Sequence, residues 1–577
     1  MTTLQEQWAQ DNKTWWKTFS VFGGESFGRF SFCFANRWST KKELIYYVSA
    51  NGWITTEQFV SSSFQTIPTL KIKHATSLTT GSASSAVFVV SELGQLYASN
   101  SLSWSYTNDS GEGKIFPPDM PPFNFLGFGP LSADFESDRD SSSAGRRNSR
   151  FFVPTLRPVI GDTESFQDVR FLETAFCSTT CIALSEQGHL WYSGNAHIDF
   201  IEPSTSFPGG IGALNYFRES QVTQYIDASG TVSSESPVTF QHIWATGALQ
   251  YGAVLALTSD GKLFVKGRFN LGKERQSRTF YEVSGFVDSV SLTAGGSGYT
   301  SAPTVTVSDP ENADGTKATV SAVVSAGVVT ELRIGNSGWG YTAAPTLTLA
   351  GGGGSGATAS ATIFSETWQD ADIVSERGGA LPTIAAVSSG GTLYAWGARV
   401  LNPNNDSNAT LAVPSPTRIR NQSHSDYVSV ALITDSPGLT SSGAALTSDG
   451  TLETWGRNDS PSSRYTPDKT NQNNLTVYVT DDVFVKIQGG YRMMALLTDD
   501  GKVLTYGNNS IYTGRGNTPG FLGAGTHVAI GQIDGDAVWE DIFLLQDSMI
   551  LSRDEEVDDL GNRVNPLPPI SGPYTSH

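Results

Sequence analysis

Histidines and carboxylates are the residue types that most often bind metals, and they are spread along the 577 residues of this chain. The seven histidines are His74, His189, His197, His242, His424, His527 and His577. None of them forms the HExxH pattern or another zinc spacing. Two acidic runs, Asp134–Asp140 and Asp554–Asp559, lack the central glycine and terminal glutamate of a calcium-binding EF-hand loop. The spacing favours solvated loops and surface or turn histidines, and we predict no metal site.

One glycine pattern formally matches a nucleotide-binding loop. Gly351, Gly353 and Gly356 fit G-x-G-x-x-G, but the following GATASATI alternates as a strand, where a dinucleotide site needs a helix. A flexible glycine turn fits better. A carboxylate pair for glycoside hydrolysis needs a geometry that sequence does not show, and 56 acidic residues leave no basis for choosing two. We therefore predict no cofactor, no catalytic residues and no enzymatic activity.

Three aromatic residues stand among glycines and could contact a ligand. Tyr299, Trp339 and Tyr341 lie in a glycine-rich stretch, where exposed rings could stack on sugars or join a protein interface. Core packing is the competing interpretation of the same residues. The sequence leaves both alternatives open.

Charge and cysteine content limit the partners of the chain. A net charge of −19 argues against a nucleic-acid partner and against an anionic membrane surface. No apolar run approaches the roughly 18 residues of a membrane-spanning helix, and the N-terminus has no apolar signal region. The cysteines, Cys33, Cys177 and Cys181, are too few for a disulfide framework. We expect Cys177 and Cys181 in one strand, too far apart to bridge, in a chain made in a reducing cytoplasm and not inserted in a membrane.

An internal repeat sets the elements that would position any site. Each copy has an apolar strand, a turn centred on a glycine and a second strand. Six gapless copies are FVVSELGQLYASN from Phe88, IALSEQGHLWYSG from Ile182, LALTSDGKLFVKG from Leu255, AAVSSGGTLYAWG from Ala385, AALTSDGTLETWG from Ala444 and ALLTDDGKVLTYG from Ala495. A further apolar strand precedes the hairpin, for example at Phe240 and Ser425. Three to four strands per unit, at a basic period of 51 to 59 residues, indicate an all-β fold of propeller blades.

The turns and strands of the repeat have specific expectations. Asp260-Gly261, Asp449-Gly450 and Asp500-Gly501 suit a type I′ hairpin turn, in which both central residues have positive φ. Two residues after the turn glycine, an aliphatic residue should face the core; these are Leu263, Leu393, Leu452 and Val503. RWSTKKELIYYVS, from Arg37, is a weaker seventh copy without the turn glycine. A strand pair near residues 537–557 would close the ring, so we predict seven blades, with eight as the alternative.

The repeat resembles that of the regulator of chromosome condensation family, A-L-T-x-D-G-x-L-y-x-W-G-x-N. The best copies span Ala444–Asn458 and Ala253–Asn270. The resemblance implies a seven-bladed β-propeller. The Gly-Gln-Leu-Gly run that usually follows survives only as Asn270-Leu271-Gly272, which indicates rebuilt outer loops.

A different duplication interrupts the repeat at residues 287–363. SLTAGGSGYTSAPTVTV, from Ser291, returns as RIGNSGWGYTAAPTLTL, from Arg333, and both are followed by alternating strands. We expect a small all-β module of two similar halves. The pattern resembles short modules of bacteriophage structural proteins, notably of phages that infect cyanobacteria. A decorative insert with no specific role is the alternative.

The domain boundaries follow from these patterns. Residues 1–25 form an arm or a first outer strand. Residues 26–286 form the first part of the propeller, with a Pro-, Gly- and Ser-rich loop insertion at 102–165 that could serve as a docking arm. The inserted module follows at 287–363, and residues 364–577 form the second part, with ring closure near 537–557.

Three functional hypotheses remain from the sequence. The leading one is a non-enzymatic virion component of a tail, baseplate or fibre, which binds other virion proteins or a host surface glycan or receptor. The first alternative is a cellular protein-binding propeller such as a GTPase exchange factor, as the repeat resemblance implies. The second alternative is a virion-borne enzyme that degrades polysaccharide.

Overall fold

The computed structural model describes residues 42–49, 72–105, 138–139, 148–195, 213–456, 472–507, 531–532 and 541–555. Inside these ranges it leaves out 81–83, 92, 160, 162–163, 178–179, 247–251, 376–380, 402–409, 420–421, 434–441, 479, 491–492 and 546–547. The described elements are β-strands and one 3-10 turn, Glu164–Asp168. No helix among these residues is long and apolar enough to cross a membrane.

Six sheets repeat one plan, in which the first strand of the unit lies at one edge of the sheet. Sheet I contains β2 (Ile72–Thr80), β3 (Ser84–Ser91), β4 (Leu96–Ser105), β6 (Asn148–Pro158) and β5 (Asp138–Arg139). Sheet II contains β7 (Phe171–Cys177), β8 (Thr180–Ser185), β9 (Leu190–Asn195) and β10 (Ala213–Ser220). Sheet III contains β13 (Phe240–Thr246), β14 (Ala253–Thr258), β15 (Leu263–Leu271), β16 (Lys273–Glu282), β11 (Val222–Ile226) and β12 (Val232–Val238).

The remaining three sheets follow the inserted module in the chain. Sheet IV contains β23 (Trp368–Val374), β24 (Thr383–Ser388), β25 (Leu393–Leu401) and β26 (Thr410–Arg418). Sheet V contains β27 (Tyr427–Ile433), β28 (Ser442–Thr447), β29 (Leu452–Gly456) and β30 (Gln472–Val477). Sheet VI contains β31 (Phe484–Gly489), β32 (Met493–Thr498), β33 (Val503–Gly507) and β34 (Gly531–Gln532).

A three-stranded sheet joins the two ends of the chain. Its order is β1 (Lys42–Ser49), β36 (Ser548–Glu555), β35 (Asp541–Leu545). The register of β1 on β36 runs without interruption from the pair Lys42 and Glu555 to the pair Ser49 and Ser548. The aromatic strand of the weak seventh copy therefore takes its neighbouring strand from the C-terminal segment, and no hairpin turn joins the two.

The first strands of the sheets contact one another in a ring. Among the described residues the order is β2, β7, β13, β23, β27, β31, β35 and back to β2. This ring of sheets, antiparallel except for the pair β11 and β16 in sheet III, is an all-β propeller. The blade number of seven, with eight as the alternative, stays a prediction.

All six predicted hairpins are present, and the expected core positions Leu263, Leu393, Leu452 and Val503 are buried. The predicted type I′ turn is wrong. Only the glycine of each turn has a positive φ, +80° at Gly261. The Gly261 amide donates to the Thr258 carbonyl at 3.0 Å, and the Thr258 amide donates to the Lys262 carbonyl at 3.0 Å. This is a three-residue loop with a type I turn and a glycine bulge, which spares Asp260 the left-handed conformation.

The same turns connect neighbouring sheets. The carbonyl of the turn glycine accepts a hydrogen bond from the amide of the aromatic residue that begins the next first strand. The pairs are Gly94 with Phe171, Gly188 with Phe240, Gly261 with Trp368, Gly391 with Tyr427 and Gly450 with Phe484, at 2.8–3.2 Å. Each of these aromatic side chains is buried.

The core consists of layers between neighbouring sheets. One cluster joins residues of sheets I and II, another sheets II and III, and another sheets V and VI. Cys177 and Cys181 are free and buried in these layers. They lie on β7 and β8, where Phe176 faces Cys181, so the expectation of a single strand is wrong because the chain reverses between them.

The module inserted between sheets III and IV has three two-stranded ribbons. They are β17 (Val287–Ser297) with β22 (Ser355–Ile363), β18 (Thr304–Val307) with β21 (Leu347–Ala350), and β19 (Thr319–Ser325) with β20 (Val328–Asn336). Each ribbon pairs a strand of one half with a strand of the other, so the halves interlock. Phe286 and Phe364, at the two junctions with the propeller, stack at 4.9 Å.

The predicted domain boundaries stay predictions, and several fall outside the described residues. These are the arm at 1–25 and most of the insertion at 102–165. Part of that insertion is not a loop, because residues 148–158 form β6 against β4. The side chains of both acidic runs, Asp134–Asp140 and Asp554–Asp559, also lie outside the described set.

Candidate functional site

The aromatic residues singled out in the sequence lie in the core. Tyr299, Trp339 and Tyr341 are 5%, 0% and 1% exposed. The Tyr299 hydroxyl accepts a hydrogen bond from the Ala357 amide at 3.3 Å, and the Tyr341 hydroxyl accepts one from the Ala318 amide at 2.9 Å. Each tyrosine thus holds the last strand of the opposite half. The three rings pack in the core, which was the alternative interpretation of the sequence. None of their faces is exposed for stacking on a sugar.

Trp339 anchors the module to the propeller. Its ring lies 5.6 Å from that of Tyr281 in sheet III, and the guanidinium of Arg275 lies 4.3 Å above it. Arg275 also donates to Asp314 of the module at 2.6 Å. On the other side, Asp288 accepts from Tyr394 and Arg418 of sheet IV, at 2.6 and 2.8 Å. The module is therefore fixed to two sheets.

A ring of polar side chains lines the first strands, and the sequence reasoning missed it. The polar residue stands two positions after the first residue of the strand; the members are His74, Glu173, His242, Asp370, Ser429 and Lys486. Asp541 begins β35 and pairs with Lys486 at 2.5 Å. We call this set the inner ring. The available signal was a polar residue at the same offset, two positions after the large apolar residue that begins each strand.

A β-bulge accompanies each of the six aligned positions. The register shifts between Ile72 and His74 and between Phe171 and Glu173. The same shift recurs in β13, β23, β27 and β31. Bulges turn a side chain away from its regular direction. Here they let the polar side chain reach the neighbouring first strand.

The inner ring bonds adjacent sheets to one another. His74 Nδ1 accepts from the Thr174 amide at 3.2 Å, Glu173 accepts from the Ile243 amide at 3.1 Å, and Asp370 accepts from the Val430 amide at 2.9 Å. Asp372, two residues after Asp370, makes the same kind of bond and accepts from the Leu432 amide at 2.7 Å. These bonds satisfy backbone donors on the open edge of each first strand, which has no further strand of its own sheet beside it.

Burial changes the protonation of this ring. It raises the pKa of Asp370 to about 6 and that of Asp372 to about 7. It lowers the pKa of His74. Burial also opposes ionisation of Glu173, but the hydrogen bond from His242 and the nearby histidine charges leave its pKa below the usual range. The bond to Glu173 in turn raises the pKa of His242.

The ring does not assemble a metal centre. Among the described residues, no three His, Cys, Asp or Glu side chains are grouped so that they could hold an ion. The carboxylates of Glu173, Asp370 and Asp372 are engaged with neighbouring strands. The arrangement can fasten the sheets together and respond to pH.

A second feature is the end of the ring that carries the glycine turns. Because strands alternate in direction, the turn between the second and third strands lies at the same end as the start of each first strand. We call this end the turn face. Of the five large apolar side chains that are exposed among the described residues, four lie here: Leu93, Val428, Val483 and Val485.

No protein-family model matches the chain, and no curated protein matches it by sequence. Solved structures resemble it in fold. Human WBSCR16 is 12% identical over 84% of this chain and 87% of its own, with a TM-score of 0.44. Yeast RCC1 (Prp20), solved with Kap60, is 12% identical over 82% of this chain and 79% of its own, with a TM-score of 0.42. YCF48 from Cyanidioschyzon merolae is 9% identical over 84% and 94%, with a TM-score of 0.33.

Proposed function

We propose that this chain is a non-enzymatic β-propeller that binds a partner protein through its turn face. The carrying observation is the placement of exposed apolar side chains: Leu93, Val428, Val483 and Val485 share this face. Exposed apolar side chains gathered at one end of a fold are the kind of surface through which proteins bind partners. The inner ring supports a structural role for the ionisable groups, because its carboxylates bond the neighbouring strands.

Site-specific photo-crosslinking tests this proposal. A photoreactive residue at Leu93, on the turn face, is compared with one at Val232, which is exposed on β12. We expect a discrete protein adduct from Leu93 in extracts of the native source and none from Val232. No discrete adduct from any turn-face position would overturn the proposal.

Two finer functions are proposals with separate tests. The virion role is supported by the duplicated Gly-Tyr-Thr-x-Ala-Pro motif of the module, and an antibody to the chain should then label intact virions. The exchange-factor role is supported by the repeat resemblance, and the chain should then accelerate nucleotide release from a small GTPase. Labelling of virions without accelerated nucleotide release favours the virion role. Accelerated nucleotide release without labelling of virions favours the exchange-factor role.

A further inference from the structure

Two adjacent sheets give the turn face a local apolar patch. Val428 follows the first residue of β27, and Val485 follows the first residue of β31, so they occupy equivalent positions on neighbouring strands. Val483 precedes β31 and lies against the turn glycine Gly450 of sheet V. Val428 is 41% exposed, Val485 54% and Val483 40%.

Carboxylates surround these valines. Asp426 precedes β27, Asp449 lies in the turn of sheet V, and Asp481 and Asp482 precede Val483. Asp499 lies in the turn of sheet VI, where its amide donates to the Val483 carbonyl at 2.9 Å, and Asp500 follows it. We call the three valines and six aspartates the valine sector.

The sector has a strong excess of negative charge. Lys502 pairs with Asp500 at 2.6 Å and Asp482 at 3.5 Å. Lys486, next to Val485, is already paired with Asp541 at 2.5 Å and adds no net charge. Six carboxylates against one ammonium leave five formal negative charges. Hydrogen bonds to Thr447 and Thr451 hold the pKa of Asp449 down at about 2, so this carboxylate is charged at any physiological pH.

Other parts of the turn face differ from this sector. In sheet III the turn has Ser259 where sheet VI has Asp499, its Asp260 is balanced by Lys262 at 3.7 Å, and the residue equivalent to Val485 is Gln241. Near sheet II, Lys73 faces Glu186 at 3.8 Å and Arg170 lies beside the turn of sheet I. The combination of exposed valines with unbalanced aspartates therefore marks sheets V and VI among the described sheets.

We propose that the valine sector binds a basic protein segment that carries apolar side chains. Cationic side chains of the partner would pair with the aspartates, and its apolar side chains would cover the valines. The charge excludes an anionic membrane or a nucleic acid as the occupant, because either would be repelled. This inference rests on the proposed function and names the partner chemistry of that face.

The test uses three fluorescent synthetic peptides of equal length, rich in Lys and Leu, in Lys and Ser, or in Glu and Leu. Binding to the full chain is measured by anisotropy at low and moderate salt. We expect the Lys/Leu peptide to bind at least tenfold more tightly than the other two. Its affinity should fall as salt rises, because exposed charges are screened.

Matched variants locate the binding. Val485→Gln and Asp481→Lys should each raise the dissociation constant of the Lys/Leu peptide about five- to tenfold. Val232→Gln removes a valine of equal exposure, 53%, on β12, and Asp309→Lys reverses an exposed carboxylate on the module. Both controls should leave the dissociation constant within twofold of the wild type.

The inference is overturned if the Lys/Leu peptide does not bind, or if all four variants bind it alike. It is also overturned if the Glu/Leu peptide binds equally well. These outcomes differ from failure of the proposed function. An adduct from Leu93 without sector-dependent peptide binding retains a protein partner and refutes its basic character, whereas no adduct from any turn-face position refutes the partner itself.

Discussion

At the scale of single residues, buried carboxyl groups attach neighbouring sheets to one another. Asp370 and Asp372 accept backbone amides of the next first strand. Glu453 is fully buried in the position that holds Tyr394 in sheet IV. It accepts hydrogen bonds from Ser423 at 2.7 Å and Tyr427 at 2.6 Å, and it pairs with His424. A carboxylate thus replaces an aromatic ring only where three polar partners surround it.

The first prediction concerns the pH dependence of stability. The folded-state pKa values of Asp370 and Asp372, about 6 and about 7, lie above those of an unfolded chain, near 3.9. The unfolded chain therefore binds fewer protons between pH 4 and 7, and the free energy of unfolding falls as pH rises through this range. The double variant Asp370→Asn/Asp372→Asn should be several kcal/mol more stable than the wild type at pH 8, since the two pKa values are together raised by about five units and each unit is worth about 1.4 kcal/mol.

Urea unfolding at pH 4.5 and pH 8 measures this difference. At pH 4.5 the difference between the two proteins should be much smaller than at pH 8, since both carboxyls are then still mostly protonated in the folded wild type and only the unfolded chain has begun to lose these protons. The charge of Asp370 also contributes to the raised pKa of His242, so the titration of His242 belongs to the measured difference. Parallel stability curves for wild type and variant across this range would contradict the prediction.

The second prediction concerns Glu453. Glu453→Ala should lower the free energy of unfolding by about 3–5 kcal/mol, because it removes a fully buried carboxyl group and leaves the buried Tyr427 hydroxyl without its acceptor. Glu453→Gln keeps an acceptor of the same shape and should lose less than half of that. Urea denaturation of both variants shows whether the alanine variant loses more free energy of unfolding than the glutamine variant. Equal losses would show that packing, and not the hydrogen bonds, determines the cost.

At the scale of elements, the glycine turn serves the hairpin and the neighbouring sheet at once. The hydroxyl of the last residue of the second strand accepts from the amide after the glycine, as in Lys262 to Thr258 and Thr451 to Thr447, both at 2.9 Å. The glycine carbonyl then bonds the next first strand. A side chain on this glycine would meet that strand directly.

The third prediction separates these two requirements of the turn. A Cβ on Gly391, where φ is +75°, would lie 2.4 Å from the Ser425 carbonyl oxygen and 2.6 Å from Asp426 Cα. A Cβ on Gly351 of the module, where φ is +84°, would meet nothing within 4 Å. Gly351→Ala should cost about 1–2 kcal/mol, the cost of a left-handed alanine. Gly391→Ala should cost at least about 1 kcal/mol more, because two sheets must separate.

Thermal and urea unfolding of the two alanine variants provide the measurement. The difference between them isolates the contact between sheets IV and V, since the backbone strain is common to both. Equal destabilisation would mean that the turn glycine is required for its φ alone.

At the scale of the whole molecule, one sheet unites residues from opposite ends of the chain. β1 pairs only with β36 among the described strands, and β35 contacts both β31 and β2. Such closure removes the free edges that an open array of sheets would present. The inserted module leaves the ring intact, because sheets III and IV remain bonded through Gly261 and Trp368 at 2.8 Å.

The fourth prediction tests this closure. A chain that ends at residue 536 lacks β35 and β36 and should unfold at a clearly lower urea concentration, with early proteolysis in sheets I and VI. A chain that ends at residue 555 keeps both strands and should match the full-length protein. Limited proteolysis with mass mapping locates the first cuts. Indistinguishable stability of the two truncated chains would show that the C-terminal strands do not close the ring.

The sequence by itself determined the local units: six hairpins, their turn glycines, the buried aliphatic residues after them and the duplicated module. These depend on strand alternation and turn chemistry, which act over a few residues.

Tertiary structure decided the rest. The turn type depended on whether Asp260 could avoid a positive φ, and the burial of Trp339 depended on Tyr281 and Arg275 of sheet III. The inner ring and the valine sector exist only because closure brings separate first strands together, and it pairs Lys42 with Glu555 across nearly the whole chain. Local patterns contain no information about such distant neighbours, because contact there is set by packing and not by spacing.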